Sequence, residues 1–478
     1  MKTLFLQAPS FDGFDGGAGA RYQGTREVSS FWYPTWLAQP AAMISDSKLI
    51  DAPPHGLSFQ DIVPEATSRD LLILHTSTPS FDSDVLVAEK LKALKPDLKI
   101  GLIGAKVAVQ ADESLRASSA IDFVARNEFD FTVKEVADGR DLSKVKGISY
   151  RNREGVIIHN EDREILENMD LLPFVSPVYK RDLVMEKYFS GYIKYPYVSF
   201  YTGRGCKSRC TFCLWPQTIG GHRYRVRSVG HVIDEVKYCL KEFPQAKEIF
   251  FDDDTLTDNL PRVEELAREL GKLGVTWSCN AKANVPRDTL KILKDNGLRL
   301  VVVGFESGNQ QILHNIKKGM RVEVARQFAK DCNELGILMH GTFILGLPGE
   351  TRETILETIE FAKQVNPRTV QVSLAAPYPG TYLYNQAVEN KWLYDGNQTL
   401  LTNAGTQLAQ LSYPHLPSEE IFEALEDFYK RFYFRPSKIG EIVYEMVTEE
   451  GMMKRRLREG VQFFSFLRKR KVAEGVAH

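Results

Sequence analysis

Cysteine is nearly absent from this chain. None occurs in the first 205 residues, and three of the six present, Cys239, Cys279 and Cys332, stand alone. So sparse a supply builds no disulfide framework, and a reducing compartment, the cytoplasm, is the default expectation. It also excludes a second three-cysteine cluster. An excess of one charge is missing as well: 61 Lys and Arg oppose 62 Asp and Glu, so no global field points to nucleic acid. No apolar run approaches the roughly 18 residues of a spanning helix. The opening, Met1-Lys-Thr-Leu-Phe-Leu-Gln-Ala-Pro9, carries an apolar stretch too short for a signal peptide. Internal repeats and low-complexity tracts are lacking. What remains, at 478 residues, is a globular chain with room for about two to four domains.

Against that background three cysteines are crowded together, in Cys206-Lys-Ser-Arg-Cys210-Thr-Phe212-Cys213. They follow an extended run, residues 197–201, and the turn Gly203-Arg-Gly205. A [4Fe–4S] cube that only carries electrons takes four cysteines. Three leave one iron open, and an open position on a metal is where chemistry happens. The competing assignment is a structural zinc site with His222, nine residues on, as fourth ligand. A zinc knuckle would be a small stapled module, whereas these cysteines introduce a long alternation of strands and helices.

Residues 1–150 read as an α/β domain built on a doubly wound parallel sheet. Its strand candidates are residues 3–6, 48–50, 71–74, 100–103 and, more weakly patterned, 123–124, with helical segments such as 83–94 between them. Ligands of such sheets bind beyond the carboxyl ends of the strands. That edge carries the Gly-rich residues 10–19, Ser77-Thr78 and Gly104-Ala105. Residues 151–195, charged and Pro-bearing, read as a linker. Residues 196–400 offer six more strands, at 198–201, 248–251, 276–279, 300–303, 339–345 and 369–374, with helices such as 263–273 and 322–335 between them. The pattern predicts a partial (β/α)6 barrel, whose active site belongs at the carboxyl ends of its strands. The cysteine loop follows the first strand and so lies at that mouth. Residues 401–478 form a helical C-terminal region.

Cys-x3-Cys-x2-Cys with an aromatic, Phe212, before the last cysteine is the cluster motif of the radical S-adenosylmethionine (SAM) enzymes. Three further segments resemble that family, in order and at strand ends: Asp252-Asp253-Asp254-Thr255, then Gly304-Phe-Glu306-Ser307-Gly308, then Gly341-Thr-Phe-Ile344-Leu-Gly346-Leu-Pro-Gly349-Glu350. The resemblance implies a [4Fe–4S] cluster on Cys206, Cys210 and Cys213, with Phe212 at the cofactor. The aspartates would accept from the amino group of SAM, since an ammonium wants acceptor oxygens. Capping of a helix N-terminus is the plain alternative for them. Glu306 and Ser307 would reach the ribose or carboxylate end of SAM, Gly304 would permit close approach, Ile344 would pack on adenine and Gly346 would turn the chain. The implied reaction is one-electron cleavage of SAM to a 5′-deoxyadenosyl radical that abstracts a substrate hydrogen. Its electron would come from a reductant protein such as a flavodoxin or ferredoxin. Lys282 touches substrate or SAM, or is a surface lysine. His222 and His340 read as ordinary satisfied polar residues.

The first domain resembles the cobalamin-binding domain that precedes many radical SAM barrels, and Ala376-Pro-Tyr-Pro-Gly380-Thr381 is typical of that branch. The first loop departs from it: without Asp-x-His-x-x-Gly, it supplies no His as lower cobalt ligand. Cobalamin binding and a plain scaffold both stay open. The opening Phe5-Leu-Gln-Ala-Pro-Ser-Phe-Asp-Gly-Phe-Asp-Gly-Gly17, Phe31-Trp-Tyr-Pro-Thr-Trp36 and Phe432-Tyr-Phe-Arg-Pro436 resemble the hopanoid-biosynthesis-associated radical SAM proteins. That likeness implies a hopanoid lipid substrate. The step would be ring contraction of the sugar head group of a bacteriohopanetetrol derivative to a cyclitol ether. The alternatives are a cobalamin-dependent radical SAM methyltransferase and a non-enzymatic zinc- or corrinoid-binding module. In residues 451–471, Met453, Leu457, Val461, Phe464 and Leu467 share one helical face, with eight Lys and Arg against the single Glu459. A basic amphipathic helix suits peripheral contact with an anionic bilayer. It serves equally as a terminal helix packed on the barrel.

Overall fold

The computed structural model describes residues 1–9, 24–393, 400–402, 405–449 and 451–474. Its first sheet has seven strands: β1 (Thr3–Gln7), β2 (Ser47–Asp51), β3 (Leu71–His75), β4 (Lys99–Ile103), β5 (Phe123–Ala125), β6 (Ile148–Arg151) and β7 (Ile157–His159). Their order is β2-β1-β3-β4-β5-β6-β7, parallel as far as β5. Continuous apolar runs such as Leu71-Leu-Ile-Leu, buried on both faces, are what central parallel strands demand. The sheet does not stop at residue 150. β6 and β7 extend it antiparallel into the stretch that reads as linker, around a turn at Gly155 with φ +81°. An edge hairpin solvates one face, so Arg151, Arg153 and Glu154 disguise it as a connection.

A second sheet follows, of β8 (Tyr197–Phe200), β9 (Glu248–Phe251), β10 (Trp277–Ala281), β11 (Leu298–Glu306), β12 (Leu338–Leu345) and β13 (Thr369–Leu374). All six are parallel, in the order β13-β12-β11-β10-β9-β8, a curled half-barrel. One apolar core runs from the inner face of the first sheet (Phe5, Ile73, Ile103) into the barrel (Phe200, Phe251, Phe305).

Charges also lock the two halves. Arg204 pairs with Asp130 at 2.5 Å and Arg225 with Glu128 at 2.6 Å, all four buried. Helix α1 (Thr35–Ala42) brings Trp36 under Arg204, 4.7 Å from its guanidinium, and stacks it on Trp215 at 5.5 Å. The carboxyl edge of the first sheet meets the barrel where α2 (Ala105–Val109) packs on α3 (Leu214–Thr218), the helix that leaves the cysteine loop. Gly380, at φ +88°, lets the chain pass there, since a Cβ would lie 2.7 Å from Val109.

Three helices end the chain: α4 (Ser418–Tyr433), α5 (Pro436–Thr448) and α6 (Met452–Glu474). α4 covers the free edge of the barrel, where Val372 and Val370 donate their N–H groups to the hydroxyls of Tyr429 and Tyr433. α6 is anchored by Arg455, donating to the Gly191 carbonyl at 2.6 Å, and by buried Arg470, donating to the Phe422 carbonyl at 2.7 Å. The single apolar face read from the sequence divides. Leu467 is buried beside Phe466, whereas Met453, Leu457, Val461 and Phe464 are exposed. The helix rolls to bury Phe463 and Phe466 against Tyr429, aromatic payload that outweighs the aliphatic stripe. Among the described residues no helix is long and apolar enough to cross a membrane.

Candidate active site

The cysteine loop is laced in place by backbone. Gly205, at φ +86°, passes so near residues 220–223 that a Cβ would lie 2.2 Å from the Arg223 carbonyl. Thr211 N–H donates to the Ile316 carbonyl and Leu383 N–H to the Thr211 carbonyl. The amide nitrogen of Gln217 donates to the carbonyls of Cys210, Thr211 and Cys213 at 3.2, 3.2 and 2.7 Å, while its oxygen accepts from Tyr382 N–H. Cys206, Cys210 and Cys213 all line one cavity of about 660 Å³ at the carboxyl ends of the barrel strands.

All three thiols are free, and burial raises each above the ordinary cysteine value. A cationic metal group is what turns such thiols into thiolates. Among the described residues no three His, Cys, Asp or Glu converge on a single ion. His222 turns Nδ1 to the Ser208 carbonyl at 2.9 Å. Three thiols on one cavity are the donor set of a cluster held by three cysteines, with one iron left open.

The other sequence-derived residues divide. Phe212, Asp252, Asp254, Gly304, Glu306 and Ile344 line the same cavity. Asp252 accepts from the Asn280 amide at 3.0 Å. Glu306 sits at φ +63° on a bulge between β11 and β12, which swings its carboxylate inward. Gly304 clears the way, for a Cβ there would lie 2.3 Å from Glu306 Oε1.

Asp253, Ser307 and Gly346 do not line it. Asp253 is turned away to accept from Thr202 N–H (2.6 Å), Thr202 Oγ1 (2.7 Å) and Tyr224 OH (2.6 Å). Ser307 lies behind its strand, 3.0 Å from Thr358 Oγ1. Gly346, at φ +80°, is pressed against Ile421, 2.7 Å from where a Cβ would be. These three hold the walls. Lys282 is neither free nor a plain surface residue: it lines the cavity and pairs with Asp258 at 2.5 Å.

Several residues escaped the sequence reading. Lys318 reaches Glu306 at 2.7 Å. Burial alone would depress its pKa, but Glu306, Cys210 and Cys213 reverse that and hold it above the ordinary lysine value. A fixed cation beside the three thiols offsets the negative charge a thiolate-bound cluster would bring. Arg26 joins Gln371, 345 residues away in sequence, and covers Trp32 at 4.5 Å, and all three line the cavity. Gln217 sits within seven residues of the carbonyls it holds, and Lys318 twelve residues from Glu306, but neither belongs to a motif.

Beneath Gly346 a carboxyl group gives the site a pH response. Glu350 is fully buried and accepts from the N–H groups of Gly346 and Leu347 at 2.6 and 3.0 Å. Burial pushes it from 4.5 up to about 8, against those two bonds. The folded chain thus keeps a proton that the unfolded chain has lost, so this contribution to stability is full below pH 4.5 and is lost as pH rises through about 8. At about 1.4 kcal/mol per pKa unit the loss amounts to several kcal/mol. Glu350→Gln retains an acceptor and has no proton to lose. Urea unfolding should show the variant flattening the alkaline fall in stability. Parallel curves for the two proteins would assign the slope to other groups.

Known proteins resemble this chain over most of its length. Residues 200–362 match the Radical SAM superfamily. An uncharacterized methyltransferase of Pyrococcus horikoshii is 30% identical over 433 residues, 88% of this chain and 92% of that protein. The anaerobic magnesium-protoporphyrin IX monomethyl ester cyclase of Rubrivivax gelatinosus is 25% identical over 414 residues, covering 83% and 71% respectively. Among solved structures, the radical SAM methyltransferase TsrM of Kitasatospora setae, with cobalamin and a [4Fe–4S] cluster bound, gives a TM-score of 0.69 at 15% identity. The match covers 99% of this chain and 100% of TsrM, a likeness of fold that embraces sheet, half-barrel and helical end. With its three-cysteine loop at the mouth of the half-barrel and a relative matched over 92% of its length, the chain belongs to the radical SAM superfamily, enzymes that use a [4Fe–4S] cluster and S-adenosylmethionine.

Proposed function

We propose that this chain is a cobalamin-dependent radical SAM methyltransferase. One observation carries the reading: the carboxyl edge of the first sheet packs, through α2 and α3, directly behind the cysteine loop. A ligand held beyond β3 and β4 would therefore adjoin the radical cavity, which a detached scaffold would not require. The edge is folded tightly on itself. Gly104, at φ +131°, lies so near the β3 loop that a Cβ would fall 2.1 Å from the Thr76 carbonyl. His75, at the end of β3, is buried and bonds Gln7 through Nδ1, leaving Nε2 without a partner. Ser77, by contrast, is spent inside its own loop, on Ser80 at 2.8 Å. The first loop of the edge, residues 10–19, lies outside the described residues. The methyltransferase in P. horikoshii and the cobalamin bound in TsrM support the same reading.

Bound cluster and SAM supply one-electron cleavage and hydrogen abstraction. The chain's own residues do the positioning. Cys206, Cys210 and Cys213 would hold the cluster, Asp252 and Asp254 would accept from the amino group of SAM, Glu306 would take its hydroxyls and Ile344 would cover adenine. His75, Thr78 and Gly104 would face the corrinoid. A flavodoxin or ferredoxin would deliver the electron, in the cytoplasm.

The resemblance of residues 31–36 and 432–436 supports the finer alternative, contraction of a hopanoid head group in the same cavity. Product mass separates the two. After anaerobic reconstitution with hydroxocobalamin, the protein should retain a corrinoid spectrum through gel filtration, and the product should carry one added carbon. Loss of the corrinoid, with a product of unchanged carbon count, would overturn methyl transfer in favour of rearrangement.

A further inference from the structure

A second cavity, of about 260 Å³, lies at the amino-terminal foot of the barrel, between the starts of β12 and β13 and the hairpin of α5 and α6. It shares Arg26, Tyr192 and His340 with the active-site cavity. Those three residues stand between the two cavities. The imidazole of His340 is 3% exposed, stacks on Tyr192 at 4.0 Å and bonds Thr369 Oγ1 at 2.7 Å through Nδ1. Its Nε2 has no partner. In either tautomer that nitrogen can bond a hydroxyl, and leaving it dry is costly.

Away from these residues the walls of the second cavity are mostly apolar and reach the surface. Ile439, Val443 and Phe464 line the cavity and are 46, 51 and 60% exposed. They continue into Val447 on α5 and into Met453, Leu457 and Val461 on α6, all more than half exposed. So large a contiguous apolar face marks an interaction surface. Charge says what kind. On α5 the carboxylates of Glu441, Glu445 and Glu449 are taken by Lys438, Arg368 and Arg456. On α6, Lys454, Arg458, Arg468 and Lys469 are exposed, with no acidic partner among the described residues. Apolar stripes bordered by unpaired cations complement an anionic lipid surface.

We propose that this foot cavity holds the hydrocarbon body of an amphiphilic substrate drawn from an anionic lipid surface docked on α5 and α6, with a polar group of that substrate meeting Nε2 of His340. The inference rests on the upper cavity being the radical site.

The test uses the full chain and two probes. Wild type should co-sediment with phosphatidylcholine vesicles containing phosphatidylglycerol, less so in high salt. The double variant Val443→Asp, Phe464→Asp should bind them at least roughly tenfold more weakly. The second probe, 11-(dansylamino)undecanoic acid, should bind wild type saturably. Gly460 lines the cavity, and a Cβ there meets nothing within 4 Å, so Gly460→Phe should fill the space and weaken the probe roughly tenfold while leaving vesicle binding unchanged. Ile439→Trp, from the opposite helix, is the second plug.

Undiminished probe binding in both plugged variants would overturn the cavity. Vesicle binding equal in wild type and double variant would overturn the surface. A wild-type dimer that ignores vesicles and dissociates in the double variant would reassign the face to a second copy of this chain. Iron content and SAM cleavage without substrate, measured alongside, report on the upper cavity. If wild type lacks both, the radical reading has failed, and what the foot cavity binds is then no radical substrate.

Discussion

Alanine at Cys206, Cys210 or Cys213 removes the cluster and, with it, all 5′-deoxyadenosine formation. Alanine at Cys239, Cys279 or Cys332 changes neither. That is the largest effect expected of any substitution in this chain, because the three loop cysteines share a cavity and the others are 0–1% exposed in the packed core. Wild type should load about four irons per chain, as a cube requires. The loop itself should persist in the variants. Its position is set by Gln217, by Thr211 N–H on the Ile316 carbonyl and by the turn at Gly205, none of which involves a thiol. Iron and sulfide analysis after anaerobic reconstitution, with chromatography for 5′-deoxyadenosine, gives the answer. A variant lacking all three cysteines that still loads four irons would end the assignment.

The second large effect separates two acidic residues that look alike in sequence. Asp253→Asn should cost about 3 kcal/mol of stability, because the new amide would point a donor at a site where Thr202 N–H, Thr202 OH and Tyr224 OH already donate. Burial raises the pKa of this carboxyl group, and the Tyr224 bond, the charge of Arg262 and the two Thr202 bonds oppose the shift. Cofactor affinity should be nearly unchanged in whatever fraction folds. Glu306→Gln should do the reverse. Its amide oxygen can still accept from Lys318, so the fold holds, but a charged acceptor for SAM is gone. Affinity should fall by roughly 1.5–3 kcal/mol, about one to two decades. Denaturation curves and titration calorimetry on both variants distinguish the roles. If Asp253→Asn melts like wild type and loses SAM instead, the aspartate faces the cofactor after all.

That contrast shows where the sequence was legible. Strand positions could be read because parallel strands buried on both faces leave continuous apolar runs, as at Leu71–His75. The cysteine loop could be read because its spacing is local. The aspartate run carries its own sign, since an extended chain sends successive side chains to opposite sides. So Asp252 and Asp254 enter the cavity together and Asp253 turns back. At Glu306 it is the bulge, with φ +63°, that parts its side chain from that of Ser307. Arg26 obeys no such rule, since Gln371 lies 345 residues away, and the loop that returns Lys318 to Glu306 follows no periodic pattern. Nor could the division of α6 into an anchored and an exposed face be seen, for helical period alone cannot say which stripe finds Tyr429.

The buried pairs of Arg204 with Asp130 and Arg225 with Glu128 make the two halves of this protein heirs to one another. Delete the first sheet and the core it shares with the barrel is opened to water, while Arg204 and Arg225 at the root of the cysteine loop lose their paired acids. No barrel of ordinary margin survives that. A lineage that ceased to need a ligand on the first sheet would therefore go on inheriting the sheet. The presence of that domain in a descendant testifies to the barrel's need for its acids, and says nothing by itself about what the domain still binds.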